Sequence, residues 1–210
     1  MNRAAPPVLT PALLRLAEAH IAAADSRMAK IIAAHGPLRK IKTEPPFHVL
    51  SVSIINQQLS QTAADAIESR IAKIVPPPFS ADDMAKAPAL KLRAAGLSGK
   101  KIEYLHEIAR RAKNGALPFG DFARLADEEI IALLSAAPGV GKWTAEMFLM
   151  FALGRADVVS PGDAALRRAA RNIYGNRFRG EDEEVLQKAA QKWRPYRTVG
   201  CRYLWESLRK

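Results

Sequence analysis

The sequence predicts an all-α fold, a compact two-lobed helical bundle of about ten helices. Three observations lead there. Apolar residues recur at helical spacing through almost the whole chain. Cap and stop residues bracket those stretches in the order helices require. No segment alternates apolar and polar residues for long, and the one Val-Val pair, Val158-Val159, is too short to make a strand.

The elements follow in order. Thr10-Pro11 opens a helix with Leu13, Leu16, Ala17 and His20 on one face. Asp25 caps the next, whose stripe is Met28, Ile31, Ile32 and His35 and whose end is Gly36. Pro45-Pro46 precede a helix carrying Phe47, Leu50 and Ile54. Ser60 caps a helix with Ala63, Ala64, Ile67, Ile71 and Ile74 as its buried positions. Pro76-Pro77-Pro78 stops it, because proline lacks the amide donor and clashes with the preceding turn. Ser98 begins a helix with Ile102, Leu105 and Ala109 that ends near Gly115. Two helices then flank a tight hairpin, about 127–153. Glu181 to Trp193 and Thr198 to the C-terminus supply the last two. The connection from Val75 to Ser80 is the only candidate linker and is too short to separate domains, so residues 1–210 read as one domain.

Composition narrows the function. The chain is 49% hydrophobic and 25% charged, the balance of a water-soluble globular protein. Charges and prolines break every long apolar run, so no membrane partner is expected. Pro6, Pro7, Pro11 and Glu18 interrupt the segment where a secretory signal needs an unbroken apolar stretch, which points to a cytoplasmic protein. Cys201 is the single cysteine, so an intrachain disulfide and a four-cysteine iron–sulfur cluster are excluded. Thirty-two Lys and Arg against twenty-one Asp and Glu leave a charge of +11, which favours a polyanionic partner such as nucleic acid.

The most informative segment runs from Leu134 through Pro138-Gly139-Val140-Gly141-Lys142-Trp143-Thr144 to Glu146. A capped amphipathic helix from Asp127 precedes it, and a second helix from Trp143 to Leu153 follows. Gly139 and Gly141 permit backbone angles closed to other residues and carry no side chain to block a ligand. Their N–H groups, with the start of the second helix, form an anion-binding concavity suited to a DNA phosphate. Val140 and Thr144 belong to the same turn, and Lys142 adds positive charge there. Taken alone, a Gly-x-Gly turn is also what a helix C-cap and a turn look like. A short distance on, Ser160-Pro161-Gly162-Asp163 places one acid at the start of a new helix. Asp163 suits an N-cap, and a cap can also be a catalytic carboxylate.

Leu-x-x-x-Pro-Gly-Val-Gly-x-x-Thr-Ala followed by Pro-Gly-Asp resembles the helix-hairpin-helix (HhH-GPD) DNA glycosylase superfamily, whose Gly/Pro-rich loop carries a catalytic aspartate. Within it the chain is most similar to the 3-methyladenine DNA glycosylase II branch. Ile54-Ile55-Asn56-Gln57-Gln58-Leu59-Ser60 resembles that branch's Gln-Gln-hydrophobic-Ser segment, which approaches the DNA gap. Gly96-Leu97-Ser98-x-x-Lys101-x-x-Tyr104-Leu105 is similar to its Gly-Leu-Ser-x-x-Lys helix, and Lys192-Trp193-Arg194-Pro195-Tyr196-Arg197 to its Trp-x-Pro-aromatic-Arg segment. The likeness covers roughly residues 20 to 208. It implies a monomeric base-excision enzyme that flips an alkylated purine, 3-methyladenine or 7-methylguanine in type, from damaged double-stranded DNA in the cytoplasm, at the nucleoid.

The chain also departs from that pattern. It is too short for the extra N-terminal β-rich domain of two-part members. Bifunctional relatives carry a lyase lysine two places after the second hairpin glycine. Trp143 stands there and Lys142 is one place early, which argues for base removal without strand cleavage. The family's Pro-Trp-Arg is here Pro195-Tyr196-Arg197.

Breaking an N-glycosidic bond develops positive charge on the sugar, which a nearby carboxylate stabilises while orienting water. Asp163 is the candidate. An alkylated purine is cationic and leaves readily, so one carboxylate suffices. The target must leave the stack to be reached, and electron-rich rings favour a cationic base. Trp143, Tyr196 and Trp193 are the candidates for that pocket, Trp143 first, although each ring also suits core packing. Gln58 or Leu59 fills the vacated stack, and the residues leave both open. No metal spacing joins His20, His35, His48 and His106, and the chemistry requires neither metal nor cofactor. Two other readings remain: a non-enzymatic helix-hairpin-helix DNA-binding module, or a glycosylase for oxidised or deaminated bases.

Overall fold

The computed structural model describes residues 6–39, 44–175, 178 and 180–209. Among them are twelve α-helices, two short 3₁₀ turns and one isolated antiparallel bridge, between Val8 and Arg155. The fold is therefore all-α, with two more helices than the cap signals mark. The described residues divide into two units, one between 44 and 153, the other from 6 to 39 together with those from 154 onward. This bears out two lobes, and neither boundary falls at the 75–80 connection.

The first unit holds α3 (Pro46–Asn56), α4 (Gln61–Ile71), α5 (Ala81–Lys86), α6 (Ala89–Ala94), α7 (Gly99–Lys113), α8 (Asp127–Ser135) and α9 (Lys142–Phe151). The two short helices, α5 and α6, are the ones the sequence reading lacks. Pro46 is the first residue of α3 rather than a flank, where its missing donor is harmless. In α4 the helix ends at Ile71, and only Ala64 and Ile71 of the expected stripe are fully buried within it. The Ser98 hydroxyl accepts from the Lys101 amide at 3.3 Å and starts α7, which buries Ile102, Leu105, Ile108 and Ala109 at helical spacing. Helix α3 packs on α4, α7 and α9. Phe47, Phe119, Phe122 and Phe148 close the core in edge-on and tilted ring pairs 5.1 to 6.1 Å apart.

The second unit holds α1 (Pro11–Ala24), α2 (Ser26–His35), α10 (Ala164–Tyr174), α11 (Asp182–Ala190) and α12 (Arg197–Glu206). The Thr10 side chain caps α1 and Asp25 caps α2, as their positions in the sequence require. Only Met28 of the α2 stripe is fully buried, and His35 is exposed, turned back to the Ile31 carbonyl at 3.0 Å. Two buried carboxylates here are paired. The Tyr174 hydroxyl donates to Asp25 at 2.9 Å, and Glu18 accepts from the Tyr203 hydroxyl at 2.7 Å and the Leu38 amide at 2.8 Å. The last expected helix ends at Glu206, and Lys210 lies outside the described residues.

Candidate active site

The hairpin lies wholly in the first unit. Glu129 reaches back to the Ala126 amide at 2.7 Å and fixes the start of α8. The turn from Ala136 to Gly141 then leads into α9, whose N-cap is Gly141 with no side-chain cap. Gly139 has φ +79, in the left-handed region that glycine occupies without strain. A Cβ there would sit 2.2 Å from Cδ2 of Tyr104, so the turn rests directly on that ring. Gly141 corrects the sequence reading. Its φ of −87 and ψ of 171 are open to any residue, and a Cβ there would meet nothing within 4 Å. Its lack of a side chain therefore clears the surface and serves no backbone need. Val140 is buried and anchors the turn, and Thr144 is buried on α9. Lys142 is well exposed at the head of α9, its Nζ 3.9 Å from Glu146. The start of α9 thus offers backbone amides, an exposed cation and open space, the combination an anion requires.

Beside the hairpin lies the turn after α3. Gln58 is exposed and has φ +58, the one described non-glycine residue with positive φ. Leu59 is half-buried, its amide on the Asn56 carbonyl at 3.3 Å. A cavity of about 450 Å³ is lined by Ser53, Asn56, Gln57, Gln58, Trp143 and Thr144. Trp143 is 44% exposed, an exception among large apolar side chains, and its indole forms part of this wall. The structure thus brings Trp143, Thr144 and Gln58 to one cavity.

Asp163 lies in the second unit. It is the N-cap of α10, and its Oδ1 accepts from the Leu166 amide at 2.7 Å and the Trp205 indole N–H at 3.3 Å. It is 8% exposed. The loop before it is tied to α12. Arg197 donates to the Asp157 carboxylate and carbonyl at 2.7 Å each, and Thr198 accepts from the Val158 amide at 3.0 Å. Trp205, Asp157 and Thr198 were missed by the sequence reading. No local pattern marks them, because each acts across about forty residues of chain.

Trp193 requires a correction. It is fully buried in the second unit, 6.4 Å from the Tyr174 ring, and its ring lies where a Cβ on Gly200 would be 2.3 Å away. Such a ring is core and offers no open face for stacking. Tyr196 is half-buried, edge-on to His20 at 5.3 Å. The histidines are accounted for by backbone: His20 lies 2.7 Å from the Arg194 carbonyl, His106 lies 3.1 Å from that of Ala87, and His48 accepts from the Phe79 amide.

Residues 52–195 match the HhH-GPD superfamily of base excision DNA repair proteins. The chain belongs to this superfamily. DNA-3-methyladenine glycosylase 1 of Schizosaccharomyces pombe is 32% identical over 203 residues, spanning 92% of this chain and 87% of that protein. Among solved structures, the DNA-3-methyladenine glycosidase of Bacillus halodurans aligns with a TM-score of 0.83 at 38% identity, covering 91% of this chain and 88% of that one. The Schizosaccharomyces pombe 3-methyladenine DNA glycosylase Mag1, in complex with abasic DNA, aligns with a TM-score of 0.79 at 30% identity, covering 91% and 95%. The HhH-GPD match takes in both glycines of the hairpin, the Gln58 turn, Trp143 and Asp163.

Proposed function

We propose that this HhH-GPD protein is a monofunctional glycosylase of the 3-methyladenine glycosylase II branch, which hydrolyses the N-glycosidic bond of an alkylated purine flipped from double-stranded DNA. The observation that carries this reading is the exposed indole of Trp143 on the wall of the cavity beside the hairpin. An exposed tryptophan next to an anion-binding turn is a stacking face for a cationic base in a strand whose backbone phosphate the turn holds. The names of the relatives support an alkylated adenine as the substrate class, and the abasic DNA bound to Mag1 is the kind of product such a reaction leaves.

Asp163 supplies the chemistry. The C1′–N bond breaks with its electron pair moving to the base, which departs neutral because it began cationic. Positive charge is left on the sugar, where the carboxylate stabilises it. Water adds at C1′ and its proton passes to the carboxylate or to solvent. The Leu166 and Trp205 donors hold Oδ1 in place, so the group is oriented before the substrate arrives. With Trp143 where a lyase lysine would stand, no amine is offered there for strand cleavage.

The test is Asp163→Asn. The amide oxygen can still accept both bonds made by Oδ1, so the melting temperature should stay close to wild type. Single-turnover excision of 7-methylguanine should fall by about a hundredfold or more, because the negative charge is gone. A folded variant that excises at the wild-type rate removes Asp163 from the mechanism. Wild-type protein that releases oxidised or deaminated bases but no alkylated ones overturns the substrate assignment.

A further inference from the structure

Both ligand-facing turns of the first unit are held by one helix, α7. The Lys101 ammonium donates to the carbonyls of Ile55 and Gln57, each at 2.7 Å. These carbonyls stand at the end of α3, where no further helical turn supplies donors and a cation is favoured by the helix dipole. The residue that follows is Gln58, at φ +58. A side chain in that conformation carries a strain cost and persists only where its surroundings determine it. Lys101 is half-buried, and that burial pulls its amine below the usual lysine pKa.

The same turn is tied to the hairpin. The Gln57 side-chain amide donates to the Gly139 carbonyl at 2.9 Å. Three residues along α7 from Lys101, on the same face, the Tyr104 ring lies beneath Gly139, at the place where a Cβ on that glycine would clash. Lys101 therefore holds one turn, Tyr104 supports the other, and Gln57 joins them.

We propose that Lys101 is a positioning residue that fixes the Gln58 turn relative to the Gly139 hairpin, so that gripping the backbone phosphate and opening the base stack occur as one event. The Lys101 ammonium donates to backbone carbonyls and acts through Gln57 and Gln58. The proposal rests on the DNA glycosylase reading for the ligand, and its test has a readout that needs no excision.

Lys101→Met keeps the length of the stem and removes the three donors. The first probe is a duplex with one tetrahydrofuran abasic site next to 2-aminopurine, whose fluorescence rises when the stack beside it opens. The variant should bind this duplex within a few-fold of wild type and lose most of the fluorescence rise. Single-turnover excision of 7-methylguanine from a fully paired duplex should fall about tenfold or more, the scale of a charged hydrogen bond removed. On a duplex where the lesion sits in a one-nucleotide bulge, already unstacked, the loss should shrink to about threefold or less. If Lys101→Met melts far below wild type, Gln57→Ala, which cuts the tie to Gly139 and keeps the backbone carbonyl that Lys101 holds, must show the same split. An equal loss on both lesion duplexes, a full fluorescence rise in the variant, or a wild-type protein that opens no stack overturns the proposal. A wild type that opens the stack but excises no lesion defeats the glycosylase reading alone, and the fluorescence comparison still decides Lys101.

Discussion

Gly139 and Gly141 stand two residues apart in one hairpin, and replacing each by alanine should fail in a different way. Gly139 has φ +79, and a Cβ on it would lie 2.2 Å from Cδ2, 2.6 Å from Cγ and 2.7 Å from Cε2 of Tyr104. Holding a residue with a Cβ in the left-handed region costs roughly 1 to 2 kcal/mol. Forcing a ring out of a packed site adds roughly 1 to 3 kcal/mol. Gly139→Ala should therefore lose roughly 2 to 5 kcal/mol, or about 4 to 20 °C of melting temperature for a chain of this size. Gly141 has φ −87 and open space around its missing Cβ. Gly141→Ala should melt within about a degree of wild type, since neither strain nor clash arises. Both variants should bind undamaged and lesion duplexes more weakly by similar factors, because each weakens a grip on phosphate, which carries no base information. Differential scanning calorimetry and fluorescence-anisotropy titrations at low and moderate salt measure both quantities. A Gly141→Ala protein that binds DNA as tightly as wild type, with the same salt dependence, would refute the phosphate-cradle argument. One that melts as low as Gly139→Ala would refute the backbone argument.

The tryptophans separate in the same manner. Trp193→Ala should cost roughly 3 to 5 kcal/mol of stability, since it empties a fully buried site. Trp143→Ala should leave the melt nearly unchanged and lower 7-methylguanine excision about tenfold, because the cation–π stacking face is removed. Calorimetry and single-turnover assays on both variants reveal any exchange of these roles. Incubation with lesion duplex, analysed without alkali, should yield abasic sites and no strand breaks, and borohydride should trap no covalent adduct. A stoichiometric adduct would identify an amine nucleophile and end the monofunctional reading.

Helix caps and stripes were legible because they are local. Thr10, Asp25, Ser60, Ser98 and Asp163 each cap the helix that follows, by bonds within three residues. The turn of the hairpin was legible for the same reason, although on spacing alone it also suits a helix C-cap and a turn, and the Pro-Gly-Asp segment and family resemblance that follow decided between them. Helices α5 and α6, six residues each, escaped because so short a segment spans too few turns to display a period.

By itself, the sequence determined the all-α class, the two glycines of the turn, the single acid at the head of α10 and the absence of cysteine for a cluster. Only the tertiary structure decided which tryptophan is core and which lines a cavity, because the neighbours of Trp143 and Trp193 in sequence do not say what either ring meets in the fold. It also decided that Gly141 needs no special backbone angle, that Trp205 reaches Asp163 across 42 residues, and that Lys101 reaches Ile55 across 46. The physical reason is common to all of these. Periodicity and capping report forces acting within a turn or two of chain, whereas exposure and side-chain partnership depend on which distant segments arrive beside a residue when the core closes.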